Sequence, residues 1–184
     1  MIFLYAIAVG ITFGYLAGGR LRGLALLPLR ASWLVLVALG IQFLIFPLFA
    51  PQPLFPYATT PLHGLSYALA VAWLIVNRRQ FPLLVVGLGA GLNGLAVLAN
   101  QGHMPSSPHA LERAGLATTA RVLADTGTYG NLVEMGAATR LNWLGDRFAL
   151  PSGWPFATAF SVGDLLIGVG LAWLIARGMR RYGR

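Results

Sequence analysis

The sequence contains no cysteine, no lysine and only five acidic residues. Without cysteine there is no disulfide framework to staple a small secreted domain, and no thiolate to bind metal or attack a substrate. Charged residues make up 10% of the 184 positions, less than half of the roughly 25% usual in a soluble domain. That scarcity excludes a soluble globular enzyme and a disordered chain alike. A phosphate loop, a dinucleotide fingerprint, a nucleophile elbow and a zinc-protease motif are also missing. His103 and His109 lack metal-ligand spacing and read as surface residues, so neither a metal nor a cofactor is expected. What is there is apolar: 57% hydrophobic residues and a mean hydropathy of +0.71. This is the composition of a polytopic membrane protein.

The net charge of +8 comes from thirteen arginines. Arg20, Arg22 and Arg30 lie between the first two apolar runs, and Arg78 and Arg79 between the third and fourth. Arg177, Arg180, Arg181 and Arg184 follow the last run. No acid lies among these nine, because Glu112, Asp125, Glu134, Asp146 and Asp164 all come after the fourth run. Arginines in alternate connections follow the positive-inside rule and do not form a nucleic-acid patch. The amino terminus is therefore expected outside and the carboxy terminus in the cytoplasm. No basic segment precedes the first run, which argues for an anchor and against a cleaved signal peptide.

Five runs are long enough to span, near Ile2–Gly18, Ser32–Ala50, Leu62–Val76, Pro82–Asn100 and Phe156–Ala176. The expected fold is an all-α membrane bundle of about five helices, a single integral-membrane domain over residues 1–184. Arg20–Arg30 reads as an interfacial segment with snorkelling arginines. Gln101–Pro155 is the one long connection and forms an extracytoplasmic insert. Within it Ser107-Pro108 is a helix start, with the helix running to about Asp125, and Thr139–Leu144 alternates like a strand. Gly10, Gly14 and Gly18, then Gly87 and Gly91, then Gly163 and Gly170 supply small-residue stripes for close helix packing.

Asp164 is the candidate with the strongest motive. A last helix starting at Phe156 puts it ~12 Å below the outer end at 1.5 Å per residue. An aspartate there costs about 2.5–3.5 kcal/mol unless it is partnered. Asn93 and Asn100, seven residues apart, share one face of the preceding run, and Asn93 matches Asp164 in depth. A clamp between Asn93 and Asp164 is the simple structural reading. Asp146 is the second candidate. It is either a solvated loop carboxylate paired with Arg147 or Arg140, or one half of a catalytic pair. Two carboxylates brought together share a proton, so that one activates water and the other polarises a carbonyl. Pro151, Gly153 and Pro155 favour a tight return between them, with Ser161 and Asn100 as hydrogen-bonding supports.

Two resemblances join these residues. Asn100-Gln101-Gly102-His103-Met104-Pro105, Thr139-Arg140-Leu141, Leu144-Gly145-Asp146 and Phe160-Ser161-Val162-Gly163-Asp164 resemble the signature blocks of a bacterial integral-membrane family of unknown function (domain of unknown function 5317). The stretch from Gly145 to Gly170 also resembles the end of lipoprotein signal peptidases. Ser161 and Gly163 stand where those enzymes carry Asn and Ala, and their other blocks are absent. This second resemblance implies an aspartic membrane peptidase with Asp146 and Asp164 as the catalytic pair, acting on a lipidated or membrane-anchored peptide. Two other functions remain open on the residues: a non-catalytic accessory or scaffold subunit of a membrane complex, and a small transporter using Asp164. The expected partners are membrane lipids and a membrane-anchored peptide or another membrane protein, with no nucleic acid. The expected location is the bacterial cytoplasmic (inner) membrane.

Overall fold

A computed structural model describes residues 2–45 and 59–183. Among these the chain is mostly helical. The helices are α1 (Ile2–Leu16), the one-turn α2 (Arg22–Ala25), α3 (Ser32–Ile45), α4 (Thr59–Val76), α5 (Phe81–Ala99), α6 (Pro108–Arg113), α7 (Ala117–Thr126) and α8 (Val162–Tyr182). Five short strands lie between α5 and α8: β1 (Met104–Ser106), β2 (Thr128–Tyr129), β3 (Leu132–Glu134), β4 (Phe148–Leu150) and β5 (Thr158–Phe160). Two helices are long and apolar enough to cross a membrane, α5 with mean hydropathy 2.0 and α8 with 1.5. α1 and α3 are shorter apolar helices, as is the Gly64–Val76 part of α4. The end of the Ser32–Ala50 run lies outside the described residues.

The chain divides into two compact units, Pro28–Leu83 and Met1–Leu27 with Leu84–Arg184. In the first, α3 and α4 pack together and are pinned by polar groups. Gln42 donates to Ser66. Asn77, 3% exposed, accepts from the Arg30 N–H at 2.8 Å and donates to the Arg30 and Trp73 carbonyls at 2.9 Å. Such bonds fix the pairing, because a buried polar group without a partner is costly.

In the second unit α1 and α8 lie side by side and run parallel. Gly10 meets Ala172 and Ile175, and Gly14 meets Met179 further along both helices. A Cβ on Gly10 would sit 2.8 Å from the Ala172 carbonyl oxygen, so only glycine permits this approach. Tyr5 donates to the Pro155 carbonyl near the start of the pair. At the other end α2 rests on the last turn of α8, with Gly23 against the Gly178 carbonyl. The stripes expected from spacing are corrected in part. Gly18 lies beyond α1 with a φ of +75°, and Gly91 faces open space. It is Gly89 that meets the backbone of Gly163 and Ile167, because the rotation of α5 about its axis is set by its neighbour and not by its own glycine pattern.

The segment between α5 and α8 departs further from expectation. The helix that starts at Ser107 breaks into α6 and α7 at Gly115, whose φ of +75° is left-handed and favours glycine. Gly127, with φ +76°, ends α7. β1 pairs parallel with β3, and β2 antiparallel with β3. Thr139–Leu144 is not extended. Leu141 turns left-handed at φ +54° and Asn142–Leu144 form a single 3-10 turn. Two small apolar clusters tie the segment down: Met104 and Leu144 on Ala96 of α5, and Leu111, Ala120 and Leu123 between α6 and α7.

The largest correction concerns the fifth apolar run. Phe156 takes φ +56° and Thr158–Phe160 extend to pair antiparallel with Phe148–Leu150. The helix therefore starts at Val162 and runs on to Tyr182. The tight return expected over Arg147–Pro155 is this β4–β5 hairpin. It consumes the first six residues of the run as strand and turn, which apolar content alone does not distinguish from helix.

A candidate aspartate pair at the start of α8

Asp164 lies in the first turn of α8, not deep within it. Ser161 is the N-cap: its hydroxyl accepts from the Asp164 N–H at 2.9 Å, and Asp164 Oδ2 accepts from the Ser161 N–H at 3.0 Å. This reciprocal pair is a capping box, legible in the sequence as Ser161-x-x-Asp164. The helix macrodipole also favours a negative charge there, so the cost expected for a mid-membrane carboxylate does not arise.

The other side of Asp164 is held by α5. Asn93 Nδ2 donates to Asp164 Oδ1 at 2.8 Å, and the Ser161 hydroxyl donates to Asn93 Oδ1 at 2.8 Å. The circuit closes: the Asp164 N–H reaches Ser161, Ser161 reaches Asn93, and Asn93 returns to the Asp164 carboxylate. Glycines make it fit. A Cβ on Gly163 would lie 2.6 Å from both Asn93 Cγ and the Gly89 carbonyl oxygen. Changing Ser161 to Ala removes the cap and one side of the circuit. We expect it to lower thermal stability by about 1 kcal/mol or more, whereas Ser161→Thr, whose hydroxyl can still cap and donate, should recover the cap term in a melting experiment.

Asp146 comes from a separate segment and is set by backbone. Its N–H donates to the Pro105 carbonyl at 2.8 Å and its carbonyl accepts from the Ser107 N–H at 2.9 Å, extending β1 by one bridge between Ser106 and Asp146. Gly145 is required here, because a side chain on it would collide with the Pro105 carbonyl and with Met135 Cε at 2.7 Å. The Ser106 hydroxyl donates to Asp146 Oδ2 at 3.1 Å. Neither Ser106 nor Gly145 is singled out as a site residue by the sequence. Ser106 is fully buried and 40 residues from Asp146, and no spacing rule connects them.

The two carboxyl groups feel each other. Burial, then the charge of Asp164, push the Asp146 carboxyl up from 3.8 to about 7, with the Ser106 hydrogen bond pulling the other way. Asp146 is thus not a solvated loop carboxylate. Among the described residues it has no ion-pair partner. Arg147 turns away over the Phe148 ring, 5.9 Å from its centroid. Arg140 is engaged through its backbone, which exchanges two 2.8 Å bonds with the Asn100 side chain. Asn100 donates as well to the Ala96 carbonyl. Its amide therefore fastens the loop to the end of α5 and supplies no hydrogen bond to either aspartate, contrary to the sequence expectation. Changing Ser106 to Ala removes the bond that favours the charged form. It should move the Asp146 titration above 7, read by NMR of the carboxyl carbon or as the alkaline limb of any activity.

Among the described residues no cluster of His, Asp and Glu is suited to hold a metal. The arrangement is instead one of two unlike carboxyls. Asp164 accepts two N–H bonds, one on each oxygen, while burial and the charge of Asp164 push the Asp146 carboxyl up to about 7. No curated protein and no solved structure matches the chain. A family model does, that of a family of unknown function, DUF5317, over residues 26–176. This match takes in α5, the strands, Asp146 and Asp164, and on that extent the chain belongs to the DUF5317 family.

Proposed function

We propose that this protein is a multi-pass hydrolase of the bacterial cytoplasmic membrane in which Asp146 and Asp164 cleave an amide bond of a lipidated or membrane-anchored peptide. The observation that supports the reading is that the charge of Asp164, held by two N–H donors, acts on the buried Asp146 carboxyl, which comes from a separate segment. Asp164 takes a proton from water as the water oxygen adds to the carbonyl carbon, and Asp146 gives its proton to the carbonyl oxygen. As the C–N bond breaks, the proton on Asp164 passes to the leaving nitrogen and Asp146 recovers one from the gem-diol. Water is consumed, an acid and an amine are formed, and the pair returns to its starting state.

In this reading α1, α3 and α4 cross the membrane with α5 and α8. Residues 101–155 form the extracytoplasmic insert, with the amino terminus outside. The parallel course of α1 and α8 supports it, since it sets Arg20 and Arg22 at the same end as Arg177, Arg180 and Arg181. The place of Asp164 in a satisfied helix cap favours the pair over transport. Trp143 and Trp154, 57% and 58% exposed, suit an accessory subunit as well as an enzyme that meets substrate at the membrane surface.

The test is hydrolysis of an internally quenched peptide carrying either a diacylglyceryl or a helical anchor, by the purified protein in liposomes. Turnover that is lost in both Asp146→Asn and Asp164→Asn supports the reading. Absence of wild-type turnover on either substrate leaves the accessory subunit as the better account. For topology, a cysteine replacing the exposed Thr118 should react with an impermeant maleimide from outside intact spheroplasts, and one replacing Arg79 only after lysis.

A further inference from the structure

The end of the α1–α8 pair far from the aspartates carries a second site. A groove of about 550 Å³ is bounded by Phe13 and Ala17 of α1 and by Trp173, Ala176, Arg177, Arg180 and Arg181 of α8. Its lining joins four apolar residues to three arginines. Arg177, Arg180 and Arg181 stand at i, i+3 and i+4 and so share one helical face. That face is fixed because Gly178 and Met179, on the opposite side, are locked against Leu27 and Gly14. Arg180 and Arg181 are exposed, and Arg177 is half-buried. None of the three has an acidic partner among the described residues, and the last acid in the chain is Asp164. Arg181 also lies 5.5 Å from the Tyr182 ring centroid.

Arginines at the end of a helix complement its dipole, but that role does not require an apolar cleft to converge with them. We infer that this groove binds an anionic phospholipid. The arginines take the phosphodiester headgroup, and Phe13, Ala17, Trp173 and Ala176 take the first part of an acyl chain. Charge selects the occupant. A zwitterionic lipid brings its own cation to the arginines, whereas a phosphatidylglycerol headgroup brings only the anion, and guanidinium forks bind phosphate oxygens two at a time. The inference shares with the proposed function only the reading that α1 and α8 lie in a membrane. It does not depend on the aspartate pair.

The test compares melting of the detergent-solubilised protein with added phosphatidylglycerol, phosphatidylcholine or inorganic phosphate. A ligand at a hundredfold excess over its Kd should raise the melting temperature of a chain this size by roughly 5–10 °C. The expected result is such a rise with phosphatidylglycerol alone, lost in Arg180→Gln/Arg181→Gln and kept in Arg78→Gln/Arg79→Gln. Both pairs are exposed, so each variant should fold. Equal shifts with the two lipids, a shift that survives in Arg180→Gln/Arg181→Gln, or an equal loss in Arg78→Gln/Arg79→Gln would overturn the site. An equal shift with inorganic phosphate would reduce it to a free-anion site and overturn the lipid. Liposome flotation separates the two readings. A protein that does not float removes the membrane reading and this site together, whereas one that floats without lipid discrimination removes this site alone.

Discussion

If Asp146 is the general acid of the proposed hydrolase, an Asp146→Asn variant should lose activity by roughly 10²–10⁴-fold, and yet be more stable than the parent at pH 8. Both effects follow from the same geometry. The asparagine keeps the shape and still accepts the Ser106 hydrogen bond, but it has no proton to give a carbonyl oxygen. The stability effect follows from linkage. The Asp146 carboxyl titrates at 3.8 when unperturbed and at about 7 in the folded protein. Between those values the folded state holds a proton that the unfolded chain has released, so stability falls as pH rises across this window and levels off above about 7. Below 3.8 both states are protonated and the group contributes no penalty. The variant lacks the term altogether. Its melting temperature should therefore change less than the parent's between pH 5 and 8, and the difference should favour the variant most at pH 8. Activity of the parent should decline above about pH 7 for the same reason. A parent protein whose stability rises from pH 5 to 8 would contradict the buried, like-charged placement of Asp146.

Gly163→Ala is the second substitution expected to act strongly. The new methyl would sit 2.6 Å from Asn93 Cγ and from the Gly89 carbonyl oxygen. One of these neighbours is backbone of α5 and cannot rotate away, so α5 and α8 must part. Overpacking of this kind costs about 1–3 kcal/mol, and it stretches the two 2.8 Å bonds through which Asn93 holds Ser161 and Asp164. We expect a lower melting temperature and, on the proposed mechanism, a fall in kcat, since Asp164 loses the Asn93 bond that orients its carboxylate. Gly91→Ala, on α5 but with nothing within 4 Å of the added atom, should change neither. Comparable losses in both variants would mean that the contact at Gly163 does not govern the site.

The pairing of Asn93 with Asp164 is legible because both residues are polar in long apolar segments, where a buried polar group without a hydrogen bond is costly. Their depth is not. Hydropathy alone runs the last helix back to Phe156 and sets Asp164 too far inside it, whereas the Ser-x-x-Asp cap marks the true start at Val162. Asn100 serves a different partner from the one expected, since an amide at a helix end holds a returning loop as readily as a site. The sequence assigns Ser106 no role, and Gly145 enters only as part of the motifs around Asp146. Their importance comes from the bridge between β1 and Asp146, a contact over 40 residues that carries no local pattern.

What the sequence determined by itself is therefore what periodicity, composition and local polarity can encode: a mostly helical apolar chain, arginines segregated from acids, and a polar pair, Asn93 and Asp164, on two apolar runs. What only the tertiary structure decided is which groups from distant segments meet. The β4–β5 hairpin set where α8 begins, contact between glycines chose Gly89 over Gly91, and the pairing of β1 with the Asp146 segment buried the Asp146 carboxyl beside the Ser106 hydroxyl. Non-local contacts of this sort depend on loop closure and on backbone approach across an interface. Neither leaves a repeat in the chain, and so the raised pKa of Asp146, which arises from burial and from the charge of Asp164, appears only in the folded protein.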